Sequence, residues 1–149
     1  KGTAINFAGQ SQRKGFLFYN NIFVGGDSLL KGKRTNDIFL ANDWWSVKNK
    51  FNIEGIVDLE KWARKSGQEM MTGKVVGLNK HPGFNNAAGS TPTSSTGLKL
   101  FTRYKIPLHS PLQQDGLDLR LMYGIETGTI DFNGQPVPVK GIGACFYNR

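Results

Sequence analysis

The sequence predicts an all-β chain rich in turns, and three observations support this prediction. Glycine is abundant, with 19 residues among 149, and 12 asparagines accompany it; both residue types favour turns. Charged residues make up only 20% of the chain, which argues against a helical bundle or a coiled coil. The third observation is a short repeat in which residues 18–24 line up with residues 40–46 at an offset of 22. An offset of that size is typical of one turn of a solenoid.

The repeat also predicts which side chains meet. Each copy places a hydrophobic pair before an Asn-Asn or Asn-Asp step, and a bulky apolar pair after it. Two such strands stacked in register lie about 4.8 Å apart. The stacking would bring Asn21 near Asp43, or Asn20 near Asn42. Asparagine amides stacked in this way can satisfy the buried backbone groups of neighbouring turns.

One segment predicts a short helix over residues 58–66. Its apolar residues fall on one helical face, so it should pack on something larger. Asp58 can cap the start, and Gly67 supplies the stop. Glu60 lies near the start, where the helix dipole favours an acidic residue.

The rest of the chain divides by composition. Residues 1–84 are predicted to hold terminal coils together with the helix, and residues 85–97 carry no hydrophobic periodicity and are predicted to form an exposed loop. Residues 98–149 are predicted to form the final strands and a C-terminal cap. Within them, Asn133-Gly134 is a turn signal.

The net charge and the cysteine count limit the partners and the covalent links that the chain can have. The net charge is +8 and the pI about 9.8, a balance that favours acidic polysaccharide or another polyanion, or serves solubility alone. No zinc finger or RNA-binding motif accompanies the charge, so we expect no nucleic-acid partner. Cys145 is the only cysteine, which excludes an internal disulfide. No apolar run approaches the roughly 18 residues that a membrane-spanning helix needs.

Several short sequence motifs occur in an order and spacing that are found together in one protein family. The C-terminal part contains Gly116-Leu117-Asp118-Leu119, Asp131-Phe132-Asn133-Gly134-Gln135-Pro136 and Ile142-Gly143-Ala144. The middle contains Leu59-Glu60-Lys61-Trp62, Ser66-Gly67-Gln68-Glu69 and His81-Pro82-Gly83-Phe84, and Phe18-Tyr19-Asn20-Asn21-Ile22-Phe23 precedes them. In order and spacing, these segments resemble the closing part of bacterial right-handed parallel β-helix proteins, the pectate-lyase-like carbohydrate-active family.

The resemblance implies a fold and a function. The fold would be the terminal coils of a right-handed parallel β-helix with one short α-helix and a C-terminal cap. The function would be that of the C-terminal portion of a secreted, periplasmic or cell-surface enzyme that degrades polysaccharide or oligosaccharide. That enzyme would be a glycoside hydrolase or a polysaccharide lyase, with Ca²⁺ as a cofactor only in a uronate lyase.

A solenoid end has to be capped, because an open coil exposes unpaired backbone. We therefore expect an upstream β-helix polypeptide to stack on the N-terminal coil, and the catalytic residues to lie in that upstream part. The alternative to an enzyme is a non-catalytic glycan-binding or surface-structural β-helix module.

Carboxyl groups are the first candidates for catalysis, because a glycosidase needs two of them about 5–9.5 Å apart. The acids nearest a coil face are Asp37, Asp43 and Glu54. Asp43 lies on the repeat and is the best placed of the three. Its alternative role is that of a turn or ladder residue. No histidine pair with metal-ligand spacing occurs, and we predict no protein metal site.

For substrate binding the sequence points to Trp44, Trp45 and Lys48. Adjacent strand residues face opposite sides, so one tryptophan should fill the interior and the other should lie outside. An exposed indole offers an apolar platform for a sugar ring. Packing beneath the helix that carries Trp62 is the alternative role for the tryptophans. Lys48 could neutralise a substrate carboxylate, or simply be a solvated surface residue.

Overall fold

The computed structural model describes residues 2–8, 15–84, 104–131 and 133–146. The predicted loop at 85–97 and the start of the predicted final strands, 98–103, lie outside the described residues. The chain divides into two compact units, residues 1–80 and 81–149. The described residues form mainly strands with few helices, and this confirms the predicted β class.

Six strands of the first unit pair in parallel, two by two. They are β1 (Thr3–Phe7), β2 (Leu17–Tyr19), β3 (Ile22–Gly25), β4 (Ser28–Gly32), β5 (Ile38–Leu40) and β6 (Asp43–Ser46). The order of pairing repeats the order of the chain: β1 pairs with β4, β2 with β5 and β3 with β6. Two successive layers of three strands therefore have the same arrangement.

The layers stack in a register of 21 residues along two of the three sheets, with Phe18 opposite Phe39 and Phe23 opposite Trp44. The predicted offset of 22 was therefore wrong by one residue. The physical reason is the period of two in a strand: a one-residue slip would have placed the inward Phe18 opposite an outward residue. In this register the side chain of Asn42 meets Asn21 rather than Asn20. The predicted proximity of Asn21 and Asp43 is confirmed, because the Asp43 backbone N–H donates to the Asn21 carbonyl at 2.8 Å.

Aromatic and aliphatic side chains from the second layer, from the segment that follows it and from the helix fill the interior of this unit. The fully or nearly fully buried cluster consists of Leu29, Leu30, Phe39, Trp44, Phe51, Ile53 and Trp62. Two isolated parallel bridges continue the stacking beyond the second layer, Leu30 with Ile53 and Asp43 with Leu78. A short antiparallel pair, β7 (Met70–Met71) and β8 (Lys74–Val75), follows the helix.

The predicted helix is present as α1 (Leu59–Ser66). The Asp58 carboxylate accepts a hydrogen bond from the Lys61 backbone N–H at 2.8 Å. Gly67 ends the helix in the left-handed region at φ 71°, where a residue with a Cβ is disfavoured. Trp62 and Ala63 are the buried residues of the helix, so its one-sided apolar face packs into the core as expected.

The described part of the second unit, residues 81–84, 104–131 and 133–146, has little regular structure. It contains a 3₁₀ turn at Pro111–Gln113 and a five-residue helix, α2 (Leu119–Tyr123). The sequence did not predict α2, because its five residues carry no buried face that would give an apolar period. Asp131 organises the predicted turn, since its carboxylate accepts backbone N–H groups from Asn133, Gln135 and Phe146.

These contacts also set the ionisation of Asp131. Burial by itself raises the pKa of this carboxyl group, but the hydrogen bonds from three backbone N–H groups outweigh burial and hold the pKa below its ordinary value. Asp131 therefore has a structural role, which is to accept hydrogen bonds from the backbone of the turn.

Candidate functional site

The first unit brings two carboxyl groups to the corner between β5 and β6. We call Asn42, Asp43 and Glu69 the corner cluster. Asn42 and Asp43 follow Ala41, which turns the chain in the left-handed region at φ 52°. Glu69 arrives from the end of α1, and its backbone N–H donates to the Phe39 carbonyl at 2.7 Å. All three residues of the cluster are fully buried.

Glu69 is the acceptor at the centre of the cluster. Its Oε1 accepts from the Asn42 side-chain amide at 2.8 Å and from the Trp44 indole N–H at 2.8 Å. Its Oε2 accepts from the Asn42 backbone N–H at 3.2 Å. The Asn42 amide also donates to the Phe18 carbonyl at 2.8 Å. Glu69 thus joins the corner to the core tryptophan, and Asn42 joins it to the first layer.

Asp43 uses only one of its two oxygens. Its Oδ1 accepts from the Lys80 backbone N–H at 2.9 Å. Its Oδ2 is buried and has no hydrogen-bond partner among the described residues. A buried carboxylate oxygen without a donor favours the protonated form of the group.

The pKa values of both carboxyl groups are raised above their ordinary range. Burial raises the pKa of Asp43 to about 7, and the neighbouring Glu69 carboxyl adds to this rise, against the opposing effect of the Lys80 backbone N–H. Burial also raises the pKa of Glu69 to about 7, against the hydrogen bonds from Asn42 and Trp44. Near neutral pH, therefore, each group divides between its neutral and ionised forms.

A pH dependence of stability follows from these two groups. Between about pH 4 and pH 7 the folded chain holds protons that the unfolded chain releases, so the free energy of unfolding falls as pH rises and levels off above pH 7. Each group contributes a slope of up to about 1.4 kcal/mol per pH unit. The measurement is urea unfolding at pH 5, 6, 7 and 8. Glu69→Gln should flatten the slope, and equal slopes in the two proteins would contradict this assignment.

The corner cluster does not have the access that catalysis requires. A general acid or base has to come within hydrogen-bond reach of the substrate, and neither Asp43 nor Glu69 has exposed surface. As folded here, Asp43 is buried and accepts the Lys80 backbone N–H, a contact of the kind that its alternative turn or ladder role predicts. The other two acids considered are also engaged: Asp37 accepts the backbone N–H groups of Phe16 and Thr35, and Glu54 pairs with Arg34 at 3.1 Å.

The corner cluster does not fit a Ca²⁺ site either. Glu69 faces N–H donors from Asn42 and Trp44, which occupy the oxygens that a hard cation would need. In the part of the chain that the structure describes, no group of three or more His, Cys, Asp or Glu side chains gathers where it could hold a metal ion. Ca²⁺ remains a prediction tied to uronate lyase chemistry.

The two adjacent tryptophans have different surroundings. Trp44 points into the core, where its ring lies 4.5 Å from Phe23 and 5.6 Å from Trp62 between ring centroids. Because Trp44 has no exposed surface, it cannot contact a substrate as folded. Trp45 is partly exposed on the opposite side of β6 and is in register with Val24, which is 40% exposed. The substrate-contact prediction therefore rests on Trp45.

Lys48 lies two residues after the end of β6. Its ammonium group forms an ion pair with Asp27, and both side chains are about half exposed. The hydrogen bond from Lys48 lowers the pKa of Asp27. Lys48 is thus held near the surface of the second layer, where it could turn from Asp27 to an acidic ligand at small cost, because exposed ion pairs contribute little.

Sequence reasoning did not single out Glu69. Glu69 lies in the segment Ser66-Gly67-Gln68-Glu69, and no residue nearby in the sequence pairs with it. The available signal was an acid two residues after the helix stop at Gly67, followed by the apolar pair Met70-Met71. Its partner Asn42 lies 27 residues earlier.

Comparisons with known proteins add no relative. The chain matches no protein-family model, no curated protein and no solved structure. Among the described helices, none has the length and apolar character needed to cross a membrane.

Proposed function

We propose that the first unit forms layers of a right-handed parallel β-helix. Support comes from three parallel strand pairs that follow the same order in each layer. The chain advances 21 residues per layer at β2 and β3 and 25 at β1. The bridges at Ile53 and Leu78 continue this stacking into a third layer. Repeated units of this length are what a solenoid requires.

We further propose that this chain is a glycan-contacting, non-catalytic end of a secreted or surface-attached bacterial protein that degrades polysaccharide. The observation that carries the proposal is Trp45, a partly exposed indole on the outer side of β6 beside the exposed Val24. An indole over a flat strand pair offers a surface on which a sugar ring can stack. Lys48 nearby supplies a cation for an acidic sugar.

The burial of the corner cluster favours the non-catalytic reading for this chain. The two carboxyl groups that the fold brings together have no exposed surface and are engaged in holding the corner. Cleavage of the glycan would then be carried out by another part of the full protein. The second candidate function, an active hydrolase or lyase within this chain, has in its favour only the family resemblance.

Binding of polygalacturonate, with neutral xylan as the comparison, tests the proposal. Trp45→Ala should weaken binding of the preferred glycan about tenfold, equivalent to about 1.4 kcal/mol, because the stacking surface is lost. The same change should cost less than about 1 kcal/mol of stability, since the indole is partly exposed. Titration calorimetry and urea unfolding measure the two quantities.

Lys48→Gln is the matched variant for charge. It should weaken binding of polygalacturonate and leave binding of xylan unchanged. Equal glycan affinity in the original chain and Trp45→Ala would contradict the proposed surface. Release of reducing ends or of unsaturated products by this chain alone would contradict the non-catalytic role.

A further inference from the structure

A short segment of the first unit is bonded to the corner cluster along its length. We call residues 76–80 the strap. The Leu78 carbonyl accepts from the Trp44 backbone N–H, and the Leu78 N–H donates to the Asn42 carbonyl, both at 2.9 Å. The Asn79 side-chain amide donates to the Trp44 carbonyl. The strap is thus attached to the start of β6 through its backbone and one side chain.

The same strap packs against both carboxyl groups of the corner cluster. The backbone of Gly77 lies so close to Glu69 that an added Cβ would be 2.8 Å from the Cβ and Cγ atoms of that side chain. The Val76 N–H donates to the Glu69 carbonyl at 2.8 Å, and the Lys80 N–H donates to Asp43 Oδ1 at 2.9 Å. Moving the strap away would therefore bring water to Glu69 and Asp43.

Ionisation of the corner conflicts with a closed strap. The Oδ2 atom of Asp43 is buried and has no hydrogen-bond partner among the described residues. A carboxylate oxygen that is buried without a donor or water costs more free energy than a neutral carboxyl group at the same place. Ionisation of Glu69 as well would place two negative charges in one buried corner, which is unfavourable for both.

The charged groups that act on the corner come from three elements. Besides burial, which is the main cause, the Glu69 carboxyl group beyond α1 raises the pKa of Asp43 on β6, and the Lys80 ammonium group on the strap opposes this rise. The groups in contact with the Glu69 side chain, from Asn42, Trp44 and Gly77, carry no charge. Proton loss at Asp43 and Glu69 is therefore the change that works against closure.

We propose that the strap is a pH-dependent latch on the corner. It stays closed while Asp43 and Glu69 are protonated, and it detaches from β6 as they lose their protons, without unfolding of the rest of the first unit. The strap ends at Lys80, the last residue of that unit, so opening releases the chain that leads into the second unit. The latch depends neither on the proposed β-helix nor on the proposed glycan contact.

The direction of the pH effect follows from proton binding. With the strap closed, the pKa values of Asp43 and Glu69 are about 7; in water they would return toward about 4. Between these values the closed state holds more protons than the open state, so the equilibrium constant for opening rises with pH and levels off above about pH 7. Each group contributes up to about tenfold per pH unit.

Amide exchange in the labelled chain at pH 5, 6, 7 and 8 tests the latch. Each rate is divided by the rate of an unstructured peptide at the same pH, which removes the intrinsic pH dependence of exchange. The protection of the Leu78 and Lys80 amides should fall at least about a hundredfold between pH 5 and pH 8. Urea at low concentration should leave both rates almost unchanged, because a local opening exposes little surface.

Variants of nearly equal size identify the groups responsible. Asp43→Asn and Glu69→Gln should each reduce the fall in protection by at least about tenfold, and the double variant should abolish it. His81→Gln is the matched control, because His81 directly follows the strap and histidine is the side chain that ordinarily titrates in this range. This control should retain the full fall, and an equal fall in the double variant would overturn the proposal.

The remaining outcomes separate the latch from the pH dependence of global stability. Constant protection of Leu78 and Lys80 from pH 5 to pH 8 would overturn the latch. Exchange of both amides with the full urea dependence of global unfolding would also overturn it, while leaving the predicted fall of the unfolding free energy intact.

A titration of the original chain decides the question if the double variant does not fold. The carboxyl ¹³C shifts of Asp43 and Glu69 should change over the same pH range as the protection of Leu78. Midpoints near pH 4, the ordinary value for such groups, would overturn the proposal.

Discussion

Replacing Glu69 with alanine is expected to lower the free energy of unfolding by about 3–5 kcal/mol. The change leaves three buried N–H donors, two on Asn42 and one on Trp44, without their acceptor. Each orphaned buried donor costs on the order of 1–3 kcal/mol, although such costs do not add fully. Urea unfolding at pH 6 measures the loss, because Glu69 is then largely neutral in the folded chain.

Glu69→Gln is the control for this prediction. Its side-chain oxygen can still accept from the Asn42 amide and the Trp44 indole, so the loss should be smaller than in Glu69→Ala. Exposed Glu60, which pairs with Arg64 on the surface of α1, supplies a second control. Its replacement by alanine should change the unfolding free energy by less than about 1 kcal/mol. Equal losses in Glu69→Ala and Glu60→Ala would contradict the central role of Glu69.

Trp44→Ala is expected to cost about 3–5 kcal/mol, the usual range for removing a large buried aromatic side chain. The indole lies among Phe23, Phe39 and Trp62, and its loss leaves a cavity and removes one of the two hydrogen bonds that Glu69 Oε1 accepts. Far-UV circular dichroism during urea unfolding measures the loss.

The neighbouring Trp45→Ala provides the matched comparison, since it removes the same side chain from the outer side of the same strand. Its loss of stability should be at least about 2 kcal/mol smaller, because the indole is already partly exposed. A larger loss in Trp45→Ala than in Trp44→Ala would mean that the two faces of β6 are assigned the wrong way round.

Local signals in the sequence predicted the local structure well. Asp58 and Gly67 delimit α1 within one residue of the prediction, because caps act through hydrogen bonds to adjacent turns. The alternation of Trp44 and Trp45 was also predictable from the pleat of a strand. The turn at Asn133-Gly134 occurs where its residue types placed it.

Long-range relations were harder to predict. The register between layers was wrong by one residue, because the repeat aligns almost as well at 22 as at 21 and only the core packing of Phe18 on Phe39 decides between them. The role of Glu69 was missed because its partners lie 25 and 27 residues away. The carboxyl group of Asp43 made it a candidate for catalysis. Its burial could not be predicted, because it depends on Leu78 and Lys80, more than 30 residues further along the chain.

The first unit contains three parallel strand pairs, and Asn42 and Glu69 hold the corner between β5 and β6; the proposed glycan contact, Trp45, lies on the outer side of β6. The corner joins stability to pH, since the same buried carboxyl groups that fix the layers also retain their protons. Trp45 lies on the face of β6 opposite to Trp44, and only Trp44 is fully buried.

The register of β3 on β6 is the most direct test of this account. Nuclear Overhauser contacts in the labelled chain should join the amide proton of Asp43 to the Cα proton of Asn21. They should also join the amide proton of Val47 to the Cα protons of Gly25. Both contacts follow the backbone hydrogen bonds of the parallel pair. Close contacts between facing Cα protons of β3 and β6, which are typical of antiparallel strands, would contradict the layered parallel arrangement and the functions inferred from it.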